Sequence, residues 1–192
     1  MKPNIKNLKT LLPLIFCSVT LIVIFGDKNH VFAQTVELDT LFTELQDPEN
    51  AEWKKSEQKI WAEWSKSGSP AMDHLLRRGQ KAMRQGDLKV AIGHFSTVID
   101  HSPEFAEAWN MRATAFYLMQ EFGLSVADIQ RTLRLNPRHF GAMAGLGTIF
   151  DQLDRKKEAL AVYRRALEVH PNQDGLKENI ERLEDEVKGT SL

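Results

Sequence analysis

FGAMAGLGTIF, residues 140–150, sets three glycines and no charged side chain in a 192-residue chain that carries 25 Lys or Arg and 26 Asp or Glu. A phosphate loop would need a lysine after its last glycine, whereas Thr148 follows Gly147 directly. A dinucleotide fingerprint would need G-x-G-x-x-G after a strand. Here the glycines stand at 141, 145 and 147, and the lead-in is the turn sequence Asn136-Pro137-Arg138-His139. Phe140, Met143, Leu146, Ile149 and Phe150 recur every three to four residues, the pattern of a helix with one apolar stripe. The glycines must then have a use inside a helix, where each costs about 1 kcal/mol relative to alanine.

That use emerges from a period. Pro103, Pro137 and Pro171 are spaced by 34 and 34 residues. With each proline at place 32 of a unit, place 4 holds Leu75, Trp109 and Met143, and place 7 holds Arg78, Arg112 and Leu146. Place 8 holds Gly79, Ala113 and Gly147, and place 11 holds Ala82, Phe116 and Phe150. Place 20 holds Ala91, Ser125 and Ala159, place 24 Phe95, Ile129 and Tyr163, and place 27 Val98, Thr132 and Ala166. Small and large residues return at one phase three times, as expected if two helices per unit cross at small residues. On this reading Gly79, Ala113 and Gly147 face Ala91, Ser125 and Ala159. The prolines end each second helix and enter the first turn of the next.

This pattern resembles the tetratricopeptide repeat, a 34-residue helix-turn-helix unit, over residues 72–173. The resemblance implies an all-α fold, an α-solenoid of tandem repeats whose first helices line a concave groove that holds a peptide or partner helix. Carried over by place, the groove residues are Asp73, Leu76, Gln80, Met83 and Arg84, then Glu107, Asn110, Thr114, Tyr117 and Leu118, then Gly141, Ala144, Thr148, Asp151 and Gln152. The binding residues expected among them are Leu76, Gln80, Arg84, Glu107, Asn110, Thr114, Tyr117, Gly141, Ala144, Thr148 and Asp151. Gly141 and Ala144 would let a ligand backbone come close. Family members that hold acidic chaperone C-termini use Lys and Asn, and Leu76, Gln80, Met111, Gly141 and Gly145 stand in the matching places.

The flanks divide the chain. Residues 1–33 have the parts of a secretory signal: Lys2, Lys6 and Lys9, an apolar run from Leu11 to Phe25, and Val31-Phe32-Ala33 before a cleavage point after Ala33. The apolar run is shorter than the ~20 residues of a membrane span. The sole cysteine, Cys17, lies inside it. Residues 34–70 read as a Trp-rich helical hairpin, with Leu38, Leu41, Phe42 and Leu45 on one helix and Trp53, Ile60, Trp61 and Trp64 on the next. Asp47-Pro48 would open the second helix, and the hairpin would act as a degenerate repeat or cap on the first full repeat. Residues 71–173 hold the three repeats. In 174–192, Leu176, Ile180, Leu183 and Val187 mark a capping helix.

Beyond residue 33 the chain carries 21 basic and 25 acidic residues, a net of −4, which argues against nucleic acid as a partner. The histidines His74, His94, His101, His139 and His170 include no i, i+4 pair, so no metal and no cofactor is expected. His101 and His170 sit where a cation suits a helix C-terminus. A carboxylate pair of Glu107 and Asp151 is the one arrangement with any catalytic character, and no catalytic residues are assigned. The expectation is a non-enzymatic interaction scaffold, exported or periplasmic, acting in the cell envelope on a protein or peptide partner. The alternative is a homo-oligomeric envelope protein in which the Trp hairpin or the capping helix of one chain stacks on another.

Overall fold

The computed structural model describes residues 28–47 and 49–189, with side chains from residue 37 onward. Residues 1–27 of the expected leader lie outside the described residues. All regular structure among the described residues is helical: α1 Lys28–Gln46, α2 Trp53–Trp64, α3 Pro70–Arg84, α4 Leu88–His101, α5 Ala106–Leu118, α6 Phe122–Leu135, α7 Phe140–Gln152, α8 Lys156–Val169 and α9 Leu176–Gly189. No helix among them is long and apolar enough to cross a membrane.

Helices α3 to α8 form three antiparallel pairs stacked in chain order. Each pair is closed by the same turn. Gly86 (φ 82°), Gln120 (φ 62°) and Asp154 (φ 56°) stand 34 residues apart in the left-handed region. At each, the next amide reaches back five residues: Asp87 N to Ala82 O at 2.9 Å, Glu121 N to Phe116 O at 2.9 Å and Arg155 N to Phe150 O at 2.8 Å. A second bond spans three residues, Gly86 N to Met83 O, Gln120 N to Tyr117 O and Asp154 N to Asp151 O. These are Schellman closures, which satisfy carbonyls at a helix C-terminus. Only the first uses glycine; the other two hold Gln and Asp in a conformation that favours glycine.

The prolines differ from expectation. Pro103, Pro137 and Pro171 lie in the turns between pairs, ahead of the helices at Ala106, Phe140 and Leu176, not within the first helical turn. The turns close through Ser102 N to Val98 O, Asn136 N to Thr132 O and His170 N to Ala166 O, at 2.7–2.8 Å.

The glycines at place 8 lie closest to a ring that their period did not single out. A Cβ on Gly79 would stand 2.4 Å from Phe95 Cε1, and one on Gly147 would stand 2.5 Å from Tyr163 Cε1. In repeats one and three, place 8 therefore receives the place-24 ring. Repeat two has Ala113 with Ile129, a smaller side chain, and can keep the methyl group. The small residues also meet there: Ser125 at place 20 donates its hydroxyl to Ala113 O at place 8, at 2.8 Å. Helix α9 closes the far end, burying Leu176, Ile180 and Leu183 on Tyr163 and Leu160 of repeat three.

The hairpin of α1 and α2 does not stack on repeat one. Leu41, Phe42, Leu45 and Ile60 form a cluster with Phe140, flanked by Trp53, Trp61, Trp64 and Val169, so it docks on the turns that lead into α7 and out of α8. Arg138 pairs with Asp39 at 2.8 Å, and Gln46 donates to Glu168 O at 3.1 Å. The second helix starts at Trp53, later than Asp47-Pro48 implied, and Asp47 instead accepts from Glu49 N at 2.9 Å. The reason for the relocation lies on α3. Places 3, 6 and 10 of repeats two and three, Ala108, Met111, Ala115 and Ala142, Gly145, Ile149, pack toward the preceding repeat. In repeat one the same places hold His74, Arg77 and Lys81, all exposed. The charges of Arg77 and Lys81 would be desolvated by an apolar helix laid on this face.

Candidate functional site

The concave face carries a pocket of about 230 Å³ between α5 and α7, lined by Asn110, Thr114 and Tyr117 from one helix and Gly141, Gly145 and Thr148 from the other. Its floor is Ala113, Ser125, Ile129, Ala142 and Ile149. Space opens there because α7 is short of side chains: a Cβ on Gly145 would meet only Ile129 Cδ1, at 3.8 Å. Among the lining residues there is no charge. Polar groups stand at the rim. Tyr117 Oη accepts from Gln152 Nε2 at 2.7 Å, and Thr148 Oγ1 lies 3.1 Å from Tyr163 Oη while bonding Ala144 O at 3.0 Å. Burial pushes the Tyr163 phenol up, partly offset by its bond to Thr148, so it stays a neutral hydroxyl.

Five expected binding residues, Asn110, Thr114, Tyr117, Gly141 and Thr148, thus meet in one pocket. Gln80 and Arg84 line a second hollow of about 370 Å³ with Met83 and Met111. The other four serve elsewhere. Leu76 is 1% exposed in the core of repeat one. Ala144 packs on the repeat-three core. Asp151 pairs with Arg182 of α9, whose guanidinium also holds Glu186 at 2.9 Å. Glu107 is 2% exposed and accepts from His139 Nε2 at 3.0 Å and Asn110 Nδ2 at 3.3 Å. Glu107 and Asp151 therefore do not act as a carboxylate pair, each being committed to a different cation or donor.

Two further departures trace to the hairpin. Gly141 was expected to admit a ligand backbone; Trp61 Cη2 lies 2.5 Å from where its Cβ would stand, so the hairpin's indole takes the side-chain space of Gly141 while the residue still borders the pocket. His139 and His170, both fully buried, lie under the tryptophans. Trp64 stacks on His139 at 4.3 Å between centroids, and Trp53 meets His170 edge-on at 5.3 Å. His139 Nδ1 accepts from Ala142 N at 3.1 Å, which fixes its Nε2 as the donor to Glu107 and caps α7. His170 does not serve as a cation on the α8 dipole: burial pushes its pKa down, against the pull of Glu57 at 3.4 Å.

The sequence pattern missed Arg112. It donates to both carboxylate oxygens of Asp128, at 2.7 and 2.9 Å, and to Ser96 Oγ at 3.0 Å, with its guanidinium 4.9 Å from the Trp109 ring. The signal was present, since Arg112 and Asp128 occupy places 7 and 23 of one unit, but only the crossing of α5 over α6 brings them together. Among the described residues no group of three or more His, Cys, Asp or Glu could hold a metal ion.

A family model described as tetratricopeptide repeat matches residues 76–122 and 119–174. A TPR repeat-containing protein of Rhizobium etli is 29% identical over 170 residues, covering 87% of this chain and 82% of that one. Sperm-associated antigen 1 of Mus musculus is 26% identical over 59% of this chain, which spans only 12% of that protein. Among solved structures, the first TPR of Spaghetti (RPAP3) bound to the HSP90 peptide SRMEEVD superposes with a TM-score of 0.59 at 23% identity, covering 61% of this chain and 93% of that one. MamA superposes at 0.58 and 21% identity, covering 71% and 84%. At these identities the likeness to the solved structures is one of fold.

Proposed function

This chain belongs to the tetratricopeptide repeat family, and we propose that it is a non-enzymatic interaction module that holds an extended, uncharged peptide segment of a partner protein across α5 and α7. The observation that carries the reading is the pocket itself. Glycine and alanine leave room for one large apolar side chain, while Thr114, Tyr117, Thr148 and Asn110 supply donors and acceptors for the backbone on either side. One solved neighbour of the same fold holds an acidic HSP90 peptide. The pocket here has no lysine or arginine to meet such acids, so its ligand is of different chemistry. The positively charged start and apolar run of residues 1–33 support a place of action beyond the cytoplasmic membrane, as a scaffold in the cell envelope.

The test is photo-crosslinking in cells from Thr114 and Tyr117, with Lys157 on the exposed start of α8 as the outward control. One protein captured from both groove positions and not from Lys157 is the expected result. Equal capture from all three, or none from the groove, removes the reading. Gly145→Leu should abolish the crosslink while the protein stays folded, because its Cβ makes only ordinary van der Waals contact, with Ile129 Cδ1 at 3.8 Å, on the wall of the pocket. Mass spectrometry of the intact chain checks export, the expected N-terminus being Gln34.

A further inference from the structure

The two ends of the solenoid carry opposite, unspent charge. On α3 the exposed Arg77, Lys81 and Arg84 lie at i, i+4 and i+7, one face of the helix, extended backward by His74. None of the three has a carboxylate within ion-pair distance among the described residues, although charged groups elsewhere are heavily paired, as with Arg164 to Glu184 and Lys156 to Glu186, both at 2.6 Å. Arg77 and Lys81 stand at places that in repeats two and three pack toward the preceding repeat, Arg84 extends the charge one turn further, and the hairpin that precedes α3 in sequence is docked elsewhere. On α9 the exposed Glu178, Glu181 and Asp185 lie at i, i+3 and i+7, on the side turned away from buried Leu176, Ile180 and Leu183. Glu178 and Glu181 have no basic partner among the described residues, and Asp185 has only Lys188, at 4.0 Å. Of the other cations on α9, Arg182 and Lys188 are directed to carboxylates of their own chain, and Lys177 lies at the edge of the acidic face near the helix start.

We infer that the cationic face of α3 receives the acidic face of α9 from a second copy of this chain, head to tail. Charge complementarity identifies the occupant. Set antiparallel, the spacing of four and three residues on α3 meets four and three on α9, so Arg77 faces Asp185, Lys81 faces Glu181 and Arg84 faces Glu178 along ~10 Å of helix. Antiparallel is also the order that continues the stack, since successive helices α7, α8 and α9 alternate in direction. The contact joins unlike surfaces, so it does not close on itself as a twofold dimer and extends into rows or rings. It lies at the solenoid ends and leaves the groove between α5 and α7 open. It therefore stands or falls independently of the peptide-binding reading.

Sedimentation velocity of the full chain, over concentrations up to high micromolar, is the test. Association should grow with concentration and vanish between about 20 mM and about 0.5 M salt, where the screening length falls from roughly 20 to roughly 4 Å. The head-reversed variant Arg77→Glu/Lys81→Glu/Arg84→Glu and the tail-reversed variant Glu178→Lys/Glu181→Lys/Asp185→Lys should each lose at least about tenfold in association constant. Mixed together they should associate again, because each end then meets its opposite. Circular dichroism confirms that both remain helical, and the single pair Lys81→Glu with Glu181→Lys repeats the exchange with less perturbation. A wild-type chain that stays monomeric at low salt overturns the inference. So do variants that associate like wild type or fail to recover on mixing. Binding of a monomeric chain to vesicles of anionic phosphatidylglycerol, lost in the head-reversed variant, would assign the α3 face to lipid instead.

Discussion

Replacing Gly147 by alanine adds one methyl group, and its effect follows from the packing around it. The new Cβ would stand 2.5, 2.6 and 2.9 Å from Cε1, Cδ1 and Cζ of Tyr163, so the ring must withdraw by about 1 Å to restore ordinary contact. Tyr163 is 2% exposed and has nowhere to withdraw without displacing the core beneath α9. Overpacking of this kind costs about 1–3 kcal/mol. Loss of the Thr148–Tyr163 hydrogen bond adds about 1 kcal/mol, and the better helix propensity of alanine returns about 1 kcal/mol. The net is a loss of about 1–3 kcal/mol, read as a Tm lowered by about 2–12 °C in thermal unfolding followed by circular dichroism. The same substitution at Gly93, inside α4 with nothing within 4 Å of its Cβ, should stabilise by about 0.5–1 kcal/mol. Repeat two already pairs alanine with isoleucine at these places, so Gly147→Ala/Tyr163→Ile should show favourable coupling in a double-mutant cycle. Equal signs for the two alanine substitutions, or additivity in the cycle, would refute the assignment of place 8 to the place-24 ring.

Other expectations follow from single contacts. Arg112→Leu leaves Asp128 buried without its bidentate partner and should cost about 3–5 kcal/mol in urea unfolding, most of it recovered in Arg112→Leu/Asp128→Leu. Glu107→Leu strips the acceptor from His139 Nε2 beneath Trp64 and should cost about 1–3 kcal/mol, with the hairpin released first, seen as earlier proteolysis at 65–69 and altered tryptophan emission. Burial lowers the folded-state pKa of His170 below its unfolded value, so its contribution to stability is whole above about pH 6.5 and is lost as pH falls through the folded value. Tm should therefore drop on acidification, and His170→Phe, which keeps a ring between Trp53 and Phe140, should flatten that slope.

The repeat could be read from the chain because period and phase are one-dimensional properties. The 34-residue recurrence of small and large residues set the helix pairs and their order, and the apolar spacing of Leu176, Ile180 and Leu183 marked the terminal helix. Five of the groove residues, Asn110, Thr114, Tyr117, Gly141 and Thr148, followed from the same phase, since side chains at fixed places on stacked helices point the same way. The nearness of the place-24 ring to Gly79 and Gly147 did not follow, because only the crossing angle decides how closely Phe95 and Tyr163 approach them. Nor did the burial of Glu107 against His139, or the hairpin indole that takes the side-chain space of Gly141.

Where that hairpin goes was partly written in the sequence. His74, Arg77 and Lys81 stand where an internal repeat carries Ala, Met or Ile, and charge on that face forbids apolar stacking. Its destination, Phe140 and Val169 with the two buried histidines, was decided in three dimensions. Apolar surface seeks whichever apolar surface lies within reach of the linker at 65–69. Local pattern determines what a helix must bury; only the assembled solenoid determines where a matching surface is left uncovered.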